Sequence, residues 1–132
     1  MKSADLLASL SNKKNKLCDY LSKTKKYHNH YGVKRLLRNQ YVKLEELSYE
    51  YNNEAAYSIN KGERIGICLR KKDGNYENTN AMFFVLMHEL AHIMSTKYAH
   101  DKEFWDNFAL LIRAAQECNV YTSQNYDENP SS

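Results

Sequence analysis

Hydrophobic positions along this chain follow two spacings, and a third stretch is apolar almost all the way round. Leu6, Leu7, Leu10, Leu17, Cys18 and Leu21 recur at helical intervals behind Ser3, a residue suited to cap a helix. The polar run Ser11-Asn12-Lys13-Lys14-Asn15-Lys16 interrupts that stripe and reads as a candidate break. Arg64 to Arg70 (RIGICLR) alternates Ile65, Ile67 and Leu69 against Gly66, Cys68 and the arginines, the period-two signature of a strand. Lys71-Lys72-Asp73-Gly74 then reads as a hairpin-type turn, with Tyr76-Glu77 beginning a short return. Upstream, Tyr41 to Tyr51 alternates only in part, and its Leu44 to Leu47 portion fits a helical turn equally well. Ala55 to Asn60 reads as a short extended piece before a turn at Lys61-Gly62.

Ala81 to Met94 has no Gly or Pro and is too long for an ordinary strand. It follows Asn78-Thr79-Asn80, any of which can cap a helix, and its all-round apolarity predicts a helix buried in a core. A last helix is predicted after Asp101, a candidate cap, with Phe104, Phe108, Leu111, Ile112 and Ala115 on its inner face. The organisation expected is one domain: a basic helical segment over residues 1–40 packed on the body, a core over 41–118 and a polar, irregular tail over 119–132.

Composition adds bounds. A chain of 132 residues is large enough for one core. Its longest apolar run, Ala81 to Met87, is too short to span a bilayer, and the first ten residues make a poor secretory signal. An intracellular protein, cytoplasmic or nuclear, with no membrane partner is therefore expected. Cys18, Cys68 and Cys118 are odd in number and widely spaced, which predicts reduced thiols. The net charge of +3 is unevenly divided: residues 1–43 carry 11 Lys/Arg against 2 Asp/Glu, net +9, and residues 44–132 carry 8 against 14, net −6. Such a basic segment either binds a polyanion through phosphates or is a solvated surface. Residues 13–43 are the candidate contact for single-stranded or damaged DNA, Tyr27 and Tyr31 lying among cations as aromatic planes suited to unstacked bases. His28 and His30 alone are a weak metal signal.

The chemistry concentrates in His88-Glu89-Leu90-Ala91-His92, which is H-E-x-x-H. On a helix the two histidines face the same way and can reach one metal ion, and Glu89 at the flank can handle the proton of a metal-bound water without being a ligand. Ionisable groups on a buried helix are costly unless compensated, and a divalent cation compensates them. A catalytic zinc site needs three protein ligands and an open position. His100, just after the predicted helix end, is the best third donor, with Glu103 and Glu117 as carboxylate alternatives. The metzincin pattern is excluded, because Ser95 and Tyr98 stand where it requires Gly and His. Phe104 and Trp105 read as core anchoring the turn that carries His100. Tyr98, Arg113, Tyr121 and Tyr126 are unranked candidates for the oxyanion donor. An edge strand ahead of such a helix can hold an extended substrate through its main chain. Arg64 to Arg70 reads first as a structural strand and second as that edge.

INKGERIGICLR followed by HELAH and then His100-Asp101-x-x-Phe104-Trp105 resembles the WLM family of metalloproteases, related to the SprT-like or Spartan proteases that act on proteins crosslinked to DNA. The resemblance covers roughly Leu44 to Ala115 by motif order. It implies an α+β, minimal zincin-like fold with a small sheet packed on the H-E-x-x-H helix. It further implies one zinc held by His88, His92 and His100, Glu89 as catalytic acid/base, and DNA-stimulated cleavage of protein substrates. The same motifs are also similar to the small YgjP-like metallopeptidases, which gives a DNA-independent zinc peptidase as an alternative. A non-enzymatic, zinc-stabilised binding module is the third reading.

Overall fold

The computed structural model describes residues 2–40, 42–47, 56–59, 64–68, 78–97 and 100–122. In chain order the elements are α1 (Lys2–Lys23), α2 (Tyr31–Arg38), β1 (Lys43–Leu47), β2 (Ala56–Ile59), β3 (Arg64–Cys68), α3 (Thr79–Met94) and α4 (Lys102–Glu117). This is the α+β arrangement expected, with a small sheet beside a buried helix. The turns at Lys61-Gly62 and Lys71–Gly74 and the return at Tyr76-Glu77 lie outside the described residues.

α3 occupies the centre because its residues are apolar around the whole circumference. Met82, Phe83, Leu86, Met87, Leu90, Ala91, Ile93 and Met94 are all buried, and the helix touches α1, α2, α4, β2 and β3. Each large side chain buried this way contributes about 1.5–3 kcal/mol, so packing rather than intrinsic propensity holds the helix. Its first turn is closed by Asn78, whose side chain accepts from the backbone N–H of Asn80 and Ala81.

The three strands are ordered β1-β3-β2, with β1 parallel and β2 antiparallel to β3. Ile65 and Ile67 are buried in the core, and Gly66 between them is buried as well. Leu44 to Leu47 is extended and pairs with Ile65 to Cys68, so the helical-turn alternative is replaced by a strand. β3 is bonded on both sides and is not an edge. Among the described strands, the edges left for main-chain docking of a substrate belong to β1 and β2.

α1 runs unbroken through the polar stretch Ser11 to Lys16. Lys14 joins Leu10, Leu17, Cys18 and Leu21 on the buried face, only 2% exposed, and its ammonium donates to the carbonyl of Gln40. Lys13 donates to the carbonyl of Val120 at 3.1 Å. Burial lowers the Lys14 pKa and pushes the neighbouring Cys18 thiol up to about 11. Cys18 and Cys118 are both free thiols, and the Cys68 side chain lies outside the described residues.

α2 begins at His30, whose Nδ1 accepts from the N–H of Gly32 at 3.0 Å. This requires an unprotonated ring nitrogen, and burial lowers the His30 pKa accordingly. Gly32 lets the helix approach α4 closely, since a Cβ there would stand 3.1 Å from Asn107 Oδ1. Tyr27 is buried and its hydroxyl donates to the Glu117 carboxylate, as does that of Tyr20. Tyr27 is therefore not the exposed stacking plane its sequence context suggested.

α4 ends in a Schellman turn. Asn119 adopts φ 64°, its N–H bonds Gln116 O, and the N–H of Val120 bonds Ala115 O. Val120 and Tyr121 are buried, so the tail read as irregular from Asn119 starts with ordered residues. Thr122 exchanges two hydrogen bonds with the Asn80 side chain, at 2.8 and 3.0 Å.

Where α3 ends, Ser95 Oγ donates to Ala91 O at 2.8 Å and accepts from Asn107 Nδ2 at 2.9 Å. Asn107 is only 1% exposed. Replacing it with Ala is expected to lower the unfolding free energy by about 1–3 kcal/mol, the cost of deleting a buried polar link, read as a shifted urea midpoint at unchanged m-value.

Candidate metal centre

Of the chain's five histidines, three converge. His88 and His92 sit one turn apart on α3, and His100 lies on the connection into α4. One ring nitrogen from each can be chosen so that all lie within 4.8 Å of one another. His92 Nε2 and His100 Nε2 are 3.1 Å apart. Two imidazole nitrogens at that distance share either a proton or a cation. A tetrahedral centre with metal–nitrogen bonds of about 2.0–2.1 Å separates its donors by roughly 3.3 Å, so the His92–His100 pair has the spacing of two donors to one small divalent ion, with His88 close enough to join them.

Phe104 is the wedge behind this cluster. Fully buried, its ring lies 4.5 Å from that of His92, 4.8 Å from His100 and 5.0 Å from His88, measured between centroids. Phe108 adds an edge contact to His88 at 5.7 Å. Trp105, expected in the core with Phe104, is instead 52% exposed. It still anchors the turn, because its indole N–H donates to the backbone carbonyl of His100 at 3.2 Å. Asp101 caps α4 as its position predicted, its side chain accepting from the N–H of Phe104.

Glu89 is buried beside the histidines. Oε2 lies 3.1 Å from His88 Nδ1, and Oε1 has no hydrogen-bond partner among the described residues. An Nδ1–H donated to the carboxylate leaves the other ring nitrogen of His88 with its lone pair available. A buried acceptor without a partner is costly in a dry core, and the cost falls if a water or ligand occupies the space it faces.

The alternative carboxylate donors are engaged elsewhere. Glu103 accepts from Thr96 and Tyr31, and Glu117 from Tyr20, Tyr27 and Lys26. Hydrogen bonds from the Tyr31 hydroxyl and then from the Thr96 backbone hold the Glu103 carboxyl down to about 2. His28 is exposed and His30 is the α2 cap, so neither joins the cluster. Of the oxyanion candidates, Tyr98 and Tyr126 lie outside the described residues. Arg113 is exposed on α4. The Tyr121 ring lies 6.1 Å from that of Phe84, measured between centroids. The links between α4 and the start of the loop, Glu103 to Thr96 and Asn107 to Ser95, had no signal in the spacing of the sequence.

The geometry can be set beside known proteins. The crystal structure of Wss1 from Saccharomyces cerevisiae superposes with a TM-score of 0.55 at 19% identity, covering 71% of this chain and 73% of that one, which shows a shared fold. An uncharacterized protein of Acanthamoeba polyphaga mimivirus is 31% identical over 77 residues, 58% of this chain and 39% of its own. One from Invertebrate iridescent virus 6 is 29% identical over 93 residues, 68% of this chain and 51% of its own. The chain thus spans about half or less of the length of these two relatives. The WLM domain model matches residues 10–130, reaching back into α1 well beyond the motif-bearing stretch, and the chain belongs to the WLM-domain family.

Proposed function

We propose that this chain is a zinc-dependent endopeptidase acting on protein substrates, with His88, His92 and His100 as the metal ligands and Glu89 as the catalytic acid/base. WLM-family relatives are metalloproteases, which supports the reaction class. The observation carrying the proposal is the 3.1 Å approach of the His92 and His100 nitrogens beside a buried carboxylate, one of whose oxygens has no partner among the described residues.

When bound, zinc supplies an acidified water and polarises the scissile carbonyl. Glu89 then has one task on each side of the reaction. Oε1 takes the proton of the attacking water and later delivers it to the leaving amine. Oε2 keeps the His88 ring oriented throughout. Phe104 closes the rear of the cluster to solvent, which strengthens the interactions inside it.

The action is proposed to be DNA-associated, of the kind that clears proteins crosslinked to DNA, through the exposed cations of residues 13–43. Lys16, Lys25, Lys34, Arg38 and Lys43 are exposed and available for phosphate contacts. A second reading, a DNA-independent peptidase, is favoured by the cations already engaged within the protein. Lys13 and Lys14 bond backbone carbonyls, Lys26 pairs with Glu117, and Arg35 donates to Ile93 O and Ser95 O.

Metal analysis followed by casein and histone digestion, with and without single-stranded DNA at low salt, tests the proposal. One zinc per chain is expected, with cleavage abolished by a chelator, restored by zinc and stimulated by DNA. A chain that takes up no metal sinks the proposal. Reversing the charge of Lys16, Lys25, Lys34 and Arg38 should remove the stimulation. Cleavage indifferent to both DNA and these changes selects the DNA-independent peptidase.

A further inference from the structure

His100 stands on the connection between α3 and α4, and that connection is tied at both ends by residues that are not ligands. At the near end the Thr96 backbone N–H and Oγ1 each donate to the Glu103 carboxylate at 3.0 Å, across seven residues of chain. At the far end the His100 carbonyl accepts from Trp105 Nε1 at 3.2 Å. The Glu103 carboxylate is itself seated from a third element. The Tyr31 hydroxyl, in the first turn of α2, donates to it at 2.6 Å, and the Tyr31 ring is stacked on the His30 cap at 4.9 Å. Glu103 thus joins α2, the exit of α3 and the first turn of α4 through one group.

From this geometry we infer that Glu103, seated by Tyr31, is a positioning residue for His100. It fixes the start of the loop relative to α4, so the third imidazole stands over His92 before a metal arrives. His88 and His92 need no such device, because α3 sets their spacing. His100 is exposed and lies on a loop, so without the tie a metal would have to order that stretch on binding. The inference rests on the reading of the three histidines as a metal site, and it predicts an effect on metal affinity rather than on folding alone.

The test is Zn²⁺ affinity by chelator competition on the full chain, for wild type, Glu103→Ala, Glu103→Gln and Tyr31→Phe, each also made together with His100→Ala. Glu103→Ala is expected to weaken Zn²⁺ binding by about 10–100-fold, the range for residues that orient a ligand from behind. Glu103→Gln retains one oxygen acceptor for Thr96 and should lose less, as should Tyr31→Phe, which removes only the seat. In the His100→Ala background the Glu103 substitutions should cost almost nothing further, because the group they position is gone. Wild-type affinity in the Glu103 and Tyr31 variants overturns the inference, as does an equal loss in both backgrounds. If Glu103→Ala does not fold, Glu103→Gln and Tyr31→Phe decide the matter by the same comparison. A wild-type chain that binds no Zn²⁺ overturns the metal reading and this inference with it.

Discussion

Glu89→Gln is expected to lower kcat for peptide-bond hydrolysis by about 10²–10⁴-fold while leaving the zinc content unchanged. The substitution keeps the volume of a side chain that is only 5% exposed, so the core around α3 has no cavity to fill. An amide oxygen can still accept from His88 Nδ1, 3.1 Å away, so the ring stays oriented. What disappears is basicity at the other oxygen, which has no partner among the described residues. The loss should therefore fall on kcat with KM little changed, since the proton transfer belongs to the transition state. The measurement is steady-state cleavage of a quenched fluorescent peptide together with metal content by elemental analysis. Undiminished turnover would remove Glu89 from the chemistry. A wild type that turns over no peptide at all would favour the zinc-stabilised binding module.

His100→Ala is expected to weaken zinc binding by about 10²–10³-fold. Four-ligand zinc sites bind with roughly 10–16 kcal/mol, about 2.5–4 kcal/mol per ligand, which sets that range. The site is well suited to the experiment because His100 is exposed, whereas His92 is 3% exposed and its removal would also open a hole beside Phe104. The two histidines left on α3 still form a weak pair, so binding should fall rather than vanish. A thermal readout separates metal from fold. Zinc at a thousand times its Kd stabilises the native state by about 4 kcal/mol, and this rise in Tm should largely disappear in the variant at the same zinc concentration. The metal-free melting temperature should stay at the wild-type value. Unchanged affinity would mean that His100 is not the third donor.

Much of this centre was legible in the residues alone, for reasons that differ from part to part. H-E-x-x-H is a local pattern, and the helical repeat converts its spacing directly into a shared direction. Asn78 and Asp101 act as the caps their positions suggested, because a cap bonds only two or three residues ahead. Ile65 and Ile67 point into the core as their period-two spacing suggested, because strand geometry sends alternate side chains to one face. The misses share a cause too. The polar run in α1 reads as a break until Lys14 is seen with its stem in the core and its ammonium on Gln40 O. That partner is supplied by the fold, 26 residues away. α2 was hidden by its unusual cap, an imidazole in place of a short polar side chain. Glu103 reads as a possible ligand because a carboxylate near a histidine pair invites that role, and only the contacts of Thr96 and Tyr31 reveal that its oxygens are taken.

The direction of α3 has an electrostatic consequence. The helix ends at Met94, two residues after His92, so the cluster gathers at its carboxyl-terminal end. Aligned peptide dipoles leave about half a unit of negative charge at that pole. Arg35, donating to Ile93 O and Ser95 O at 3.4 Å, offsets part of it from the outside. A cation held by the three imidazoles would rest against the electronegative pole of its own scaffold. The same triad transplanted to the opening turn of a helix would confront a positive pole and hold its ion less firmly.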